Sequence, residues 1–152
     1  MDKHTKKYAF LVLALIIIAA IAVLVLIVFT PGIAKSGKLF DTMGVPLPFI
    51  CALYVGAGAA LWFLAELFFI MITVNRGNPF VKRNVYALRR MGIACLIAAA
   101  ALVFVLLFYG WYEHFSIIVC VFILMFGVLC TFALSGVFSR AVEYKAENDL
   151  TV

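Results

Sequence analysis

The amino-acid sequence predicts an all-α integral membrane protein, a four-helix transmembrane bundle with both termini in the cytoplasm. Three observations predict it. Hydrophobic residues fill 68% of the 152 positions and charged residues only 12%, with a mean hydropathy of +1.22. One soluble core of this size cannot hide that much apolar surface, whereas a bilayer accepts it. Apolar runs recur over residues 8–29, 47–74, 91–109 and 117–138, each close to or above the roughly 20 residues that cross a hydrocarbon core of about 30 Å. Finally, Lys and Arg collect on alternate connectors.

The elements follow in order. Lipid offers the backbone no hydrogen-bond partners, so each span is expected to be a helix. The first, Tyr8 to Phe29, follows Lys3, Lys6 and Lys7 in the manner of a signal peptide. Its apolar run is much longer than the about 7–15 residues of such a segment, and no clear small-x-small cleavage site follows, so it reads as a retained span. The second runs from Leu47 to Val74 and leads into a basic loop, residues 75–90. The third, Met91 to Tyr109, ends in a short turn crowded with Tyr109, Trp111, Tyr112 and Phe115, rings suited to the headgroup level. Glu113 and His114 in that turn read as solvated. The fourth, Ile117 to Phe138, continues into a tail, residues 139–152, and the whole chain reads as one membrane domain.

Charge orients the bundle. Lys3, Lys6 and Lys7 precede the first span, Arg76, Lys82, Arg83, Arg89 and Arg90 lie in the central loop, and Arg140 and Lys145 lie in the tail. The two other connectors carry only Lys35 and Lys38. The positive-inside rule therefore places both termini and the basic loop in the cytoplasm of a cell-membrane protein.

Within the loop, Asn78-Pro79 signals a turn, with Pro79 suited to a first helical turn. From there Phe80, Val81, Val85 and Leu88 follow helical spacing, while Lys82, Arg83, Tyr86, Arg89 and Arg90 take the other side. This predicts an interfacial helix running into the third span. Each basic residue near an anionic leaflet contributes about 1 kcal/mol of attraction, so the lipid bilayer is the first partner. An acidic cytoplasmic partner is the second, with Phe80, Lys82, Arg83, Asn84, Leu88, Arg89 and Arg90 as its candidate contacts.

Glu66 is the one acidic residue well inside a span. Ala52, Gly56, Ala59, Phe63, Glu66, Ile70 and Thr73 share a helical face. Small residues there favour close helix approach, and Gly127, Thr131 and Ser135 form a matching face on the fourth span. An ionisable group at such depth is a functional candidate; the structural alternative is a carboxyl that is protonated, or bonded to Thr131, and fixes helix register. Cys51, Cys95, Cys120 and Cys130 form no CxxC pair, which argues against a thiol oxidoreductase. Cys51 and Cys120 lie toward the same side, so a disulfide is conceivable, but small apolar packing is the simpler role. His4 and His114 both fall outside the spans, leaving no pair of buried haem ligands. There is no phosphate-binding glycine loop, zinc spacing or nucleophile–base set. The expectation is no enzyme, no cofactor, no metal and no direct nucleic-acid binding.

Two stretches form a recognisable pattern. RGNPFVKRNVYALRRMG carries Gly77, Phe80, Asn84, Leu88 and Arg89; LSGVFSRAVEYKAENDLTV carries Phe138, Ala141, Glu147, Asn148, Asp149, Leu150 and Thr151. Together they resemble the loop and ending of the bacterial four-span membrane family DUF2975. The resemblance implies the four-span layout. It also implies a gene neighbourhood that commonly holds a small helix-turn-helix regulator, and hence a transcription regulator as the cytoplasmic partner. Glu66 belongs to neither motif.

The tail has physics of its own. Glu143, Glu147 and Asp149 are placed to pair with Arg83, Arg89 or Arg90, each exposed pair contributing about 0–1 kcal/mol. Alternatively the ending Asp-Leu-Thr-Val presents an extended segment to another protein. Two functional readings follow. In the first, the protein is a non-enzymatic regulator or scaffold that holds its partner through the basic loop and through Glu147, Asn148, Asp149 and Leu150. In the second it is a small transporter or channel subunit that uses Glu66, with a homo-oligomer supplying the pore.

Overall fold

The computed structural model describes residues 3–36, 47–77, 79–109 and 115–150. They form four α-helices: α1 (Lys3–Ser36), α2 (Leu47–Asn75), α3 (Lys82–Tyr109) and α4 (Phe115–Leu150). All four are long and apolar enough to cross a membrane, and no strand occurs among the described residues. The aromatic turn predicted around Trp111, Tyr112, Glu113 and His114, the Lys38 connector, Asn78 and the final Thr151 and Val152 lie outside the described residues.

The order of packing is sequential. Among the described residues α1 packs on α2, α2 on α3 and α3 on α4, with no direct packing of α2 on α4. The bundle is therefore open, with α3 as its centre. Most of its buried apolar side chains belong to α3, including Val85, Ala87, Leu88, Met91, Ala94, Ala99, Val105 and Leu106. Among the described side chains of α1 only Ile16 is buried, while Phe10, Leu15, Ile18 and Val28 are exposed, as lipid-facing side chains would be. The helices alternate in direction, so Lys3 and Leu150 lie at the same end as the connector between α2 and α3. We call this the basic end.

All four helices exceed the predicted spans: α1 at both ends and α2 by one residue, while the extensions of α3 and α4 fall on the basic loop and the tail. The basic loop is mostly helix, because α3 starts at Lys82 and runs without interruption into the span. The expected interfacial helix is thus the first turns of α3. Pro79 stands before the helix, outside its first turn. The tail is likewise α4 continued to Leu150, so the extended reading does not hold for the described part of it. At 1.5 Å per residue the 36 residues of α4 reach about 54 Å, well beyond a hydrocarbon core of about 30 Å.

Candidate functional site

The basic end is built on one tight turn. Gly77 ends α2 in the left-handed region at φ 79°, a conformation open to glycine at little cost. Its amide donates to the Val74 carbonyl at 3.0 Å, and the Arg76 amide to the Ile72 carbonyl at 3.1 Å, which satisfies carbonyls that the helix end would orphan. The chain then turns back, and α3 begins as the Asn84 amide meets the Val81 carbonyl at 2.9 Å.

Asn84 fastens this turn. It is only 1% exposed. Its Nδ2 donates to the Pro79 carbonyl at 2.7 Å, and its Oδ1 accepts from the Thr73 hydroxyl at 2.9 Å. One side chain thus ties α2, the connector and α3 together. Leu88 is also buried. Asn84 and Leu88 were expected among the contacts for a partner; burial corrects that reading, since neither presents a surface. Phe80 is exposed on one side but stacks on Phe138 of α4, with ring centroids 5.5 Å apart.

A second fastening joins α3 to α4. Arg89 Nε donates to Ser135 Oγ at 3.3 Å, and Ser135 Oγ donates to the Val85 carbonyl at 3.2 Å. One turn further in, α3 approaches α4 so closely that a Cβ on Gly92 would sit 2.9 Å from both Thr131 Oγ1 and Phe132 Cε2. The Thr131 hydroxyl stays on its own helix, 2.9 Å from the Gly127 and Val128 carbonyls.

Glu66 therefore does not bond Thr131, and that expectation is corrected. Helix α3 stands between α2 and α4, and what reaches Glu66 is Arg90. Arg90 Nη1 lies 3.2 Å from Glu66 Oε1, with side-chain exposures of 60% and 12%. The same oxygen accepts from Trp62 Nε1 at 3.4 Å, one helical turn away. A cation accompanies the carboxylate because the leading turns of α3, which carry Arg90, pack directly on α2. Trp62 was missed, although its spacing of four from Glu66 was a readable signal.

The exposed cations line two clefts on the outer side of α3. Between α2 and α3, Glu66, Phe69, Arg83, Tyr86 and Arg90 surround a space of about 350 Å³, and the Arg83 guanidinium lies 4.7 Å from the Phe69 ring centroid. Between α3 and α4, Lys82, Tyr86, Arg89, Ser139 and Glu143 border one of about 190 Å³. Past it, Glu147 and Asn148 are exposed on the continuing α4; Asp149 and Leu150 end that helix. The side chains of Asp149 and Leu150, named as candidate contacts, lie outside those described. Cys51 and Cys120 are free thiols, so the conceivable disulfide is not formed. No group of three metal-ligating side chains occurs among the described residues.

Fold and site together define a multi-pass α-helical membrane protein in which, among the described residues, most side-chain hydrogen bonds gather at one end. The chain belongs to the family described as Protein of unknown function (DUF2975), which matches residues 32–152. The match takes in α2, α3 and α4 and leaves out nearly all of α1. No curated protein and no solved structure matches the chain. The motif residues acquire physical roles here. Gly77 caps, Asn84 and Leu88 are buried, Arg89 reaches Ser135, and Phe80 of one motif packs on Phe138 of the other.

Proposed function

We propose that the protein is a non-enzymatic scaffold of the cell membrane, with its basic end in the cytoplasm, holding a cytoplasmic partner against the start of α3 and the extension of α4. One observation carries this reading: α4 continues as a helix to Leu150 beside the cationic first turns of α3, and both are fastened to one another. Lys82 and Arg89 on one side, and Glu143 and Glu147 on the other, then form a rigid surface of both signs. Such patterned charge favours selective and fast encounter over tight burial. A small helix-turn-helix regulator is the partner that the family resemblance suggests. For the transport reading, Glu66 would have to serve a pathway. Its pairing with Arg90 at the basic end, on an unbroken α2 of 29 residues, favours the scaffold instead, since transporter sites sit near midplane on broken helices.

The test is capture from native membranes of a small helix-turn-helix regulator, with photocrosslinkers at Lys82, Glu143 and Glu147. Deleting Glu147 to Val152, or introducing Lys82→Glu, is expected to release the regulator while all four spans remain inserted. Raising salt should weaken it further, because exposed charges are screened within about 8 Å at physiological ionic strength. Undiminished recovery with both changes combined would end the scaffold reading.

A further inference from the structure

We propose that the cleft between α2 and α3 at the basic end binds the phosphate of an anionic phospholipid headgroup, with Arg83 as its principal ligand. The cleft is distinct from the α3–α4 surface assigned above to a partner. It holds two guanidiniums, Arg83 and Arg90, against one carboxylate, Glu66. Glu66 already receives Arg90 at 3.2 Å and Trp62 at 3.4 Å. Arg83 is held over the Phe69 ring, and a guanidinium stacked in this way keeps its in-plane N–H groups for a planar or tetrahedral oxyanion. Tyr86, 59% exposed, adds a phenol at the mouth.

Helix electrostatics point the same way. The first turn of α3 contains Lys82 and Arg83 and no acidic residue. A helix N-terminus already carries about half a positive charge, so cations there repel the dipole and one another. An anion is the missing partner, and depth says which one. Of the 28 residues of α3, roughly 20 suffice for the hydrocarbon core. The leading turns from Lys82 to Arg89 therefore stand at headgroup level, where phosphate is the local anion. Basic pockets between transmembrane helices recognise headgroups through this chemistry.

The experiment uses the full chain, purified in neutral detergent and titrated with phosphatidylglycerol or phosphatidylcholine, with retained lipid counted by native mass spectrometry. Phosphatidylglycerol should be retained in preference, and Arg83→Gln should lower its retention about fivefold, the factor expected of one basic residue near an anionic surface. Arg83→Lys should keep part of that preference. Glu66→Gln removes the competing carboxylate and should raise retention, an effect that a purely structural ion pair would not produce. Arg140→Gln, outside the cleft, serves as the surface-charge control and should lower retention clearly less than Arg83→Gln. Thermal unfolding of each variant checks that it folds. Equal retention of the two lipids, or equal loss in every cation variant, would overturn the site. Inorganic phosphate or glycerol phosphate displacing the lipid at equal concentration would reassign the cleft to a soluble phosphate. If Arg83→Gln released the regulator yet left lipid retention intact, the cleft would belong to the protein partner and the lipid proposal would fall.

Discussion

The two ends of the α2–α3–α4 unit are built on opposite principles. At the basic end every helix contact is pinned by a specific group: Asn84 between Thr73 and Pro79, Ser135 between Arg89 and Val85, and Gly92 against Thr131 and Phe132. Toward the other end α2 and α4 flank α3 without packing on each other. They leave an apolar groove of about 670 Å³, bordered by small residues such as Ala52, Gly56, Ala60, Ala94 and Ala98. Small residues permit close approach in lipid, but they do not compel it, because apolar side chains exchange lipid contacts for helix contacts at little gain. Directional hydrogen bonds and one close crossing hold the first end shut. Nothing comparable is present in the groove.

That contrast can be broken most severely at Gly92. Gly92→Leu forces side-chain atoms into the space held by Thr131 and Phe132. Overpacking of this kind costs about 3 kcal/mol, so the α3–α4 pair should separate and the thermal unfolding transition in detergent should fall sharply. A transition unchanged from wild type would mean that the crossing has room to adjust.

The next effect belongs to Asn84. Asn84→Leu keeps the branched shape but takes from the Pro79 carbonyl the amide that donates to it, while the Thr73 hydroxyl keeps the Ile70 carbonyl as acceptor. An unmet buried polar group costs about 1–3 kcal/mol. Chemical denaturation and proteolysis near Arg76 should both report a loosened connector.

At the opposite end the sign should reverse. A Cβ on Gly56 meets nothing within 4 Å, and exchanging Gly for Ala inside a helix is worth about 1 kcal/mol. Gly56→Ala is therefore expected to stabilise the protein in the same denaturation assay. Destabilisation would show that something seats against Gly56 in the membrane.

The smallest effect concerns Glu66. Arg90 is 60% exposed on its side chain, and exposed pairs contribute about 0–1 kcal/mol. Glu66→Gln retains an acceptor for Trp62 and should shift unfolding by no more than the upper end of that range. A loss comparable to Gly92→Leu would make the ion pair, and not the hydrogen-bonded clasps, the main fastening of the basic end.

Part of the site is legible in the sequence alone. The cationic face of Lys82, Arg83, Tyr86, Arg89 and Arg90 followed from helical spacing, and so did the placement of Ala52, Gly56, Ala59, Glu66 and Thr73 along one side of α2. Thr73 and Glu66 do meet α3. The roles within that face were not legible. Asn84 reads as polar and hence exposed, yet it is among the most buried side chains present, since its two ends satisfy groups from two other segments. Thr131 and Glu66 stand at similar depth on their spans, but depth carries no information about which helix is a neighbour.

Hydrophobicity and charge by themselves determined four helices and the gathering of cations at one end. Both properties depend on the transfer of each residue between water and lipid, and that is local to the residue. Only the tertiary structure decided the order of packing, with α3 between α2 and α4, and with it the pairing of Glu66 with Arg90. It also decided that the motif residues Gly77, Phe80, Asn84 and Phe138 act as fastenings. Those outcomes rest on directional contacts and close approach between segments distant in the chain, and such contacts leave no period or composition to read.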